Sequence, residues 1–248
     1  MENLYMDLPE KDLIEPILPL LKKGIYQFTD DGRLEAEMRM PSETPWVHVR
    51  QDPQKNCSLW HHVWFDYYGF IPSYCQKCWK VVVRPRTLTE LFKVLEVLQE
   101  LDLPSKCGIE RRYSVPALYG AYFYNESVEA GQECVDKVDK AVSEKLGHPL
   151  PILLKRGCTE FEEKFKDSSK WRVTKEQQHL EARLERLFAN KGRVSEQSDE
   201  MKIHIMANWL KFAYAQGDPT VHEYLSEPLY NPYRIYYSNE KDGNANET

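Results

Sequence analysis

Several common signatures are missing from this chain. Its 248 residues include only 11 glycines, and none of them builds a G-x-G-x-x-G or Walker loop, so no glycine cradle for a nucleotide is encoded. H-E-x-x-H, G-x-S-x-G and the C-x-x-x-C-x-x-C run of radical-SAM type are absent as well, which leaves zincin, serine-hydrolase and radical readings without a motif. No apolar run approaches the roughly 18 residues of a membrane span. The N-terminus, MENLYMDLPE, is acidic and has no signal-peptide core. An excess of positive charge is also lacking. Lys and Arg total 33 against 39 Asp and Glu, a net charge of -6, which disfavours general nucleic-acid binding while permitting a local basic patch. These absences predict a cytoplasmic protein with no membrane partner, whose six cysteines are reduced thiols or metal ligands.

What is present is a globular composition, 42% hydrophobic and 12% aromatic, with ample material for a core. Residues 1–78 read as an N-terminal extension. Leu13, Ile14, Ile17, Leu18 and Leu21 have helical spacing disturbed by Pro16 and Pro19, and Asp30-Asp31-Gly32-Arg33 is a hairpin turn. Residues 41–78 are aromatic and irregular, with helical character around Trp60–Tyr68. The middle of the chain has sharper boundaries. Trp79–Arg84 is a β-branched strand, and Thr87-x-x-Glu90 a capping box opening a helix. Cys107–Arg112 and Tyr119–Asn125 are two further strands. Asn125 or Ser127 caps a helix from about Val128 to Leu146, and Pro151–Lys155 is a fourth strand. The order β-α-β-β-α-β over residues 79–166 predicts an α+β fold, a ferredoxin-like sandwich with two helices on one face of a four-stranded antiparallel sheet. Residues 167–238 are expected to form a helical region, a hairpin whose helices open at Thr174 and at Ser198 or Asp199. Residues 239–248 are expected to be a disordered tail.

That topology carries a consequence for the cysteines. Cys75-x-x-Cys78 precedes the first strand, Cys107 opens the second and Cys158 follows the fourth. All three places lie at one end of the sheet. Four thiols there predict a metal centre with Cys75, Cys78, Cys107 and Cys158 as ligands, an iron–sulfur [4Fe–4S] cluster or, alternatively, zinc. Gly108 and Gly157 beside the lone cysteines, and Lys77, Lys80, Lys106, Lys155 and Arg156 nearby, suit an anionic cluster. Thioredoxin-like exchange is disfavoured because the C-x-x-C leads into a strand, not a helix. Cys134 reads as a core residue. Cys57, His61 and His62 are candidate ligands of lower rank, since two histidines in an aromatic run are more often packing residues.

The expected function is metal binding for electron transfer, redox sensing or structure, with a redox or protein partner. The alternative is a zinc-stapled module resembling RNA-recognition domains, with Tyr122 and Tyr124 on an open sheet face binding single-stranded nucleic acid. A third possibility is a metal-free enzyme using the aromatic pocket with Glu110 and Arg111. No catalytic residue is assigned from sequence, and Glu160, Glu162 and Glu163 read as a solvated helix start.

Overall fold

The computed structural model describes residues 13–36, 44–50, 57, 60–189 and 197–226. Near the start, Pro16 and Pro19 split the apolar stripe into a 3-10 turn, Glu15–Ile17, and a short α1, Leu18–Lys22, because proline supplies no N–H to a continuing helix. β1 (Tyr26–Phe28) and β2 (Leu34–Ala36) then pair as an antiparallel hairpin.

A mixed α+β architecture follows, built on an antiparallel sheet of β3 (Trp46–Arg50), β4 (Trp79–Val83), β5 (Ser105–Ile109), β6 (Tyr119–Asn125) and β7 (Ile152–Arg156). The spatial order is β3-β5-β6-β4-β7. The helices are α2 (Ser73–Gln76), α3 (Leu88–Leu101), α4 (Val128–Leu146), α5 (Thr159–Phe165), α6 (Lys175–Arg186) and α7 (Asp199–Gln216). Side-chain caps start the longer ones: Thr87, Ser127, Thr174 and Ser198 accept from Glu90, Ala130, Gln177 and Met201 N–H groups respectively. Such caps are worth about 1 kcal/mol each.

Strand alternation assigns the two sheet faces. Val81, Val83, Cys107, Ile109, Tyr119, Ala121 and Phe123 turn toward α3, α4 and α7 and form one buried cluster with their apolar stripes. Lys80, Lys106, Tyr122 and Tyr124 turn the other way and line a cleft. A second cluster gathers Leu13, Tyr26, Trp64, Phe65, Cys75, Phe161, Trp171, Leu180 and Leu184, where the chain enters β4 and leaves β7.

The structure adds three features to the sequence reading. The sheet has five strands, not four, because Trp46–Arg50 in the supposedly irregular segment pairs with β5. Trp60–Phe65 is a π-helical turn, with Asp66 N donating to the His61 carbonyl at 2.8 Å. The two C-terminal helices do not share one core: Leu180 and Leu184 of α6 belong to the second cluster, whereas Ile205, Trp209 and Ala213 of α7 belong to the sheet cluster. The expected tail, residues 239–248, lies outside the described residues. No described helix is long and apolar enough to cross a membrane.

The extra strand depends on Gly108. It sits opposite Trp46, and a Cβ there would lie 2.0 Å from the Pro45 carbonyl oxygen. Gly108→Ala is therefore expected to push β3 off the sheet edge and lower stability by about 1–3 kcal/mol. Urea unfolding would show this as a lower midpoint, and an unchanged midpoint would mean the edge strand adjusts freely.

Candidate functional site

The four cysteines expected to ligate a metal are not brought to one centre. Cys107 is fully buried on the helix-covered face among Val47, Ile109 and Ala121, and burial alone pushes its thiol up. Cys158 lies on the other face, lining the cleft. Cys75 is buried in the second cluster, with Cys158 packed against it. Cys78 follows the Cys75 turn, its N–H donating to the Cys75 carbonyl at 3.2 Å. Among the described residues no group of three or more His, Cys, Asp or Glu side chains could hold a metal ion. Cys107 therefore stands apart from Cys158, on the opposite face of the sheet, while the charges of Cys78 and Cys158 reach Cys75.

What the structure assembles is a cleft of about 390 Å³ on the open sheet face. Its walls include Trp46, Cys57, His61, Lys80, Lys106, Glu110, Arg111, Arg112, Tyr122, Tyr124, Lys155, Cys158 and Glu160. Five Lys or Arg residues against two Glu make it cationic, although the chain as a whole carries a charge of -6.

Cys158 is held there by the end of β7. Gly157 has φ +65 and donates its N–H to the Cys78 carbonyl at 2.8 Å, turning the chain out of the strand. A Cβ at Gly157 would lie 2.8 Å from Trp171, so glycine alone makes this turn at this closeness. The Cys158 Sγ then accepts from Lys80 Nζ at 2.9 Å and shares a hydrogen bond with His61 Nε2 at 3.3 Å.

No family model, curated protein or solved structure matches the chain.

Burial would raise the Cys158 thiol, but the Lys80 ammonium and the His61 hydrogen bond outweigh it and bring it from 9.0 to about 6. The effect is mutual. Burial opposes charge on His61 too, yet the bond to Cys158, its charge and that of Glu160 hold the imidazole pKa above its ordinary value. The His61 ring is fixed by stacking on Phe161, centroids 5.0 Å apart and planes 15° from parallel, with Phe65 edge-on at 5.8 Å. Packing and function thus coincide at His61. Lys80 is the second residue of β4, its ammonium 5.6 Å from the Tyr124 ring centre.

One wall of the cleft is a fixed polar network. Glu110 takes two hydrogen bonds from the Arg112 guanidinium, at 2.8 and 2.6 Å, one from the Arg112 backbone N–H at 3.1 Å, and one from the Tyr122 hydroxyl at 2.6 Å. Arg84 and Arg112 also donate to that hydroxyl, at 3.1 and 2.8 Å. Tyr122 is only 5% exposed, and its ring is met edge-on by Trp46 at 5.5 Å. Its face is thus already occupied, which weakens the expectation that it stacks a base.

Lys106 is placed differently from the other cations. It lies 4.7 Å from the Trp46 ring centre and 5.9 Å from that of Tyr122. Among the described residues no carboxylate pairs with it or with Arg111. Burial, with repulsion from Lys80, lowers the Lys106 pKa to about 8. Lys155, by contrast, pairs with Glu162, and Arg112 with Glu110 and Glu160.

Of the cleft residues, the sequence marks Cys158 as a metal ligand, Cys57 and His61 as lower-ranked ligands, Tyr122 and Tyr124 as a stacking face, and Glu110 and Arg111 as the pair of a metal-free enzyme. Lys80 and Lys106 count in the sequence only as charge for a cluster. A lysine within the apolar strand Trp79–Val83 was the available signal for Lys80, since a cation there is retained only with a partner.

Proposed function

We propose that the protein is a cysteine-nucleophile enzyme, with Cys158 as nucleophile, Lys80 stabilising its thiolate and His61 as acid and base. The observation that supports this most is the Cys158 Sγ within reach of both Lys80 Nζ and His61 Nε2. A thiolate paired with a cation and an imidazole is the arrangement that nucleophilic catalysis requires.

The reaction class it suits is acyl transfer or hydrolysis. The Sγ electron pair forms a bond to the acyl carbon, and the bond from that carbon to the leaving heteroatom breaks. The departing atom takes its proton from the His61 Nε2. Water then attacks the thioester, His61 accepts the proton from that water, and the Cys158 thiolate departs. Glu160, whose charge favours the imidazolium, helps to keep His61 protonated for the first step. The scaffold we propose for this site is the ferredoxin-like arrangement. Support comes from the chain order β4-α3-β5-β6-α4-β7 and from the spatial order β5-β6-β4-β7 within the sheet, with β3 as an added edge.

p-Nitrophenyl acetate tests the assignment. One p-nitrophenolate per chain is expected as a burst, with the acetyl group located on Cys158 by mass spectrometry. Cys158→Ala should abolish the burst, and His61→Gln should slow the turnover that follows it. Release that is indifferent to Cys158→Ala would overturn the reading.

A further inference from the structure

The cleft contains more positive charge than its own acids neutralise, and the surplus is localised. Lys80 faces the Cys158 sulfur, Arg112 is held by Glu110 and Glu160, and Lys155 by Glu162. Lys106 and Arg111 remain, both lining the cleft and neither paired with a described carboxylate. Lys106 emerges from β5 with its ammonium beside both the Trp46 and Tyr122 rings, a setting that strips water from it, and the charges of Cys57 and Cys158 do not make up for burial and the repulsion from Lys80. Retaining a desolvated cation in this way costs free energy unless a ligand supplies the counter-charge.

We propose that the substrate of this cleft is a small molecule carrying a dianionic group, a phosphate monoester or its equivalent, received by Lys106 and Arg111. Lys106 meets the anion inside the cleft, and the exposed Arg111 supplies a second cation at its rim. The Trp46 and Tyr122 rings fix where the Lys106 ammonium sits, through the attraction of a cation to an aromatic face. The cleft volume of about 390 Å³ suits a metabolite-sized molecule. This inference rests on the reading of Cys158 as nucleophile, because it names what that nucleophile acts upon.

The test uses the full chain and two alkylating agents that differ in charge, neutral iodoacetamide and anionic iodoacetate, with modification of Cys158 followed by mass spectrometry. Relative to free cysteine, iodoacetate should be favoured over iodoacetamide by on the order of tenfold, since a cationic cleft concentrates anions. Inorganic phosphate should protect Cys158 in a saturable manner, and chloride at matched ionic strength should not. Lys106→Met should remove both the iodoacetate preference and the protection, and Lys106→Arg should restore them. If Lys106→Met fails to fold, phosphate protection of the native chain and the Lys106→Arg result still decide the matter. A reactive Cys158 with no phosphate protection, or with equal protection by chloride, overturns the dianion site and leaves the nucleophile intact. A Cys158 no more reactive toward iodoacetamide than free cysteine at pH 6 overturns the nucleophile itself.

Discussion

Lys80→Met is expected to move the midpoint of the pH–rate profile for Cys158 alkylation upward by roughly 1–3 units, the span that one neighbouring charge commands. In the native protein the profile should rise with a midpoint of about 6, because only the thiolate reacts. Methionine preserves the length and apolar stem of lysine within β4 but removes the ammonium 2.9 Å from the sulfur. With that charge gone, burial and the remaining His61 bond oppose one another, and burial is the larger of the two influences on this thiol. The rate at pH 6 falls by less than the thiolate fraction does, because a more basic thiolate is intrinsically more nucleophilic. The midpoint is therefore the quantity to read. A profile that stays near pH 6 in Lys80→Met would show that Lys80 does not set the ionisation of Cys158.

Removing Glu110 should produce the largest loss of stability among the cleft residues. Its side chain is 1% exposed and answers Arg112, Arg84 and the Tyr122 hydroxyl together. Glu110→Ala leaves two guanidinium groups facing each other around a buried phenol. Breaking a buried pair on one side costs about 3–5 kcal/mol. The Arg112 side chain retains 31% exposure, so the lower end, about 3 kcal/mol, is expected. Urea denaturation at pH 7 measures it, and a loss below about 1 kcal/mol would mean that the network is marginal.

The same group predicts a pH dependence. Burial raises the Glu110 carboxyl, but the hydrogen bonds from Arg112 and Tyr122 outweigh it and hold the pKa at about 2 instead of 4.5. A carboxyl held below its unfolded value contributes fully above pH 4.5, and the contribution is lost as pH falls through about 2. The stability gap between native protein and Glu110→Gln should narrow across that interval. A gap that stays constant down to pH 2 would mean that Glu110 has an ordinary pKa in the folded state.

Local signals explain which parts of this architecture were legible. The strand at Trp79–Val83 and its neighbour at Tyr119–Asn125 are bounded by proline, capping residues and β-branched or aromatic runs, all short-range properties of the chain. The second core strand was placed two residues late. Glu110 and Arg112 read as strand continuation, but their i, i+2 bonds close a turn at the end of β5. β3 was illegible for another reason. Its pairing with β5 depends on Gly108 giving room to Pro45, 63 positions away, and no local pattern encodes such a contact.

The cysteines mark the boundary between the two kinds of information. Element order along the chain was enough to expect Cys78, Cys107 and Cys158 near one end of a sheet, because short connections leave few ways to arrange β-α-β-β-α-β. Whether they converge was a matter of facing, which follows the period of two along each strand. Cys107 shares its face with Ile109 and enters the apolar core, while its neighbour Lys106 enters the cleft. The partners of Cys158 come from a π-helical turn 97 residues upstream and a strand 78 residues upstream. Composition, caps and alternation determined the elements and the layer each one buries. Only tertiary packing decided which thiol was left in apolar surroundings and which met a lysine and a histidine, because a pKa depends on the charges within a few ångströms and not on the residues adjacent in sequence.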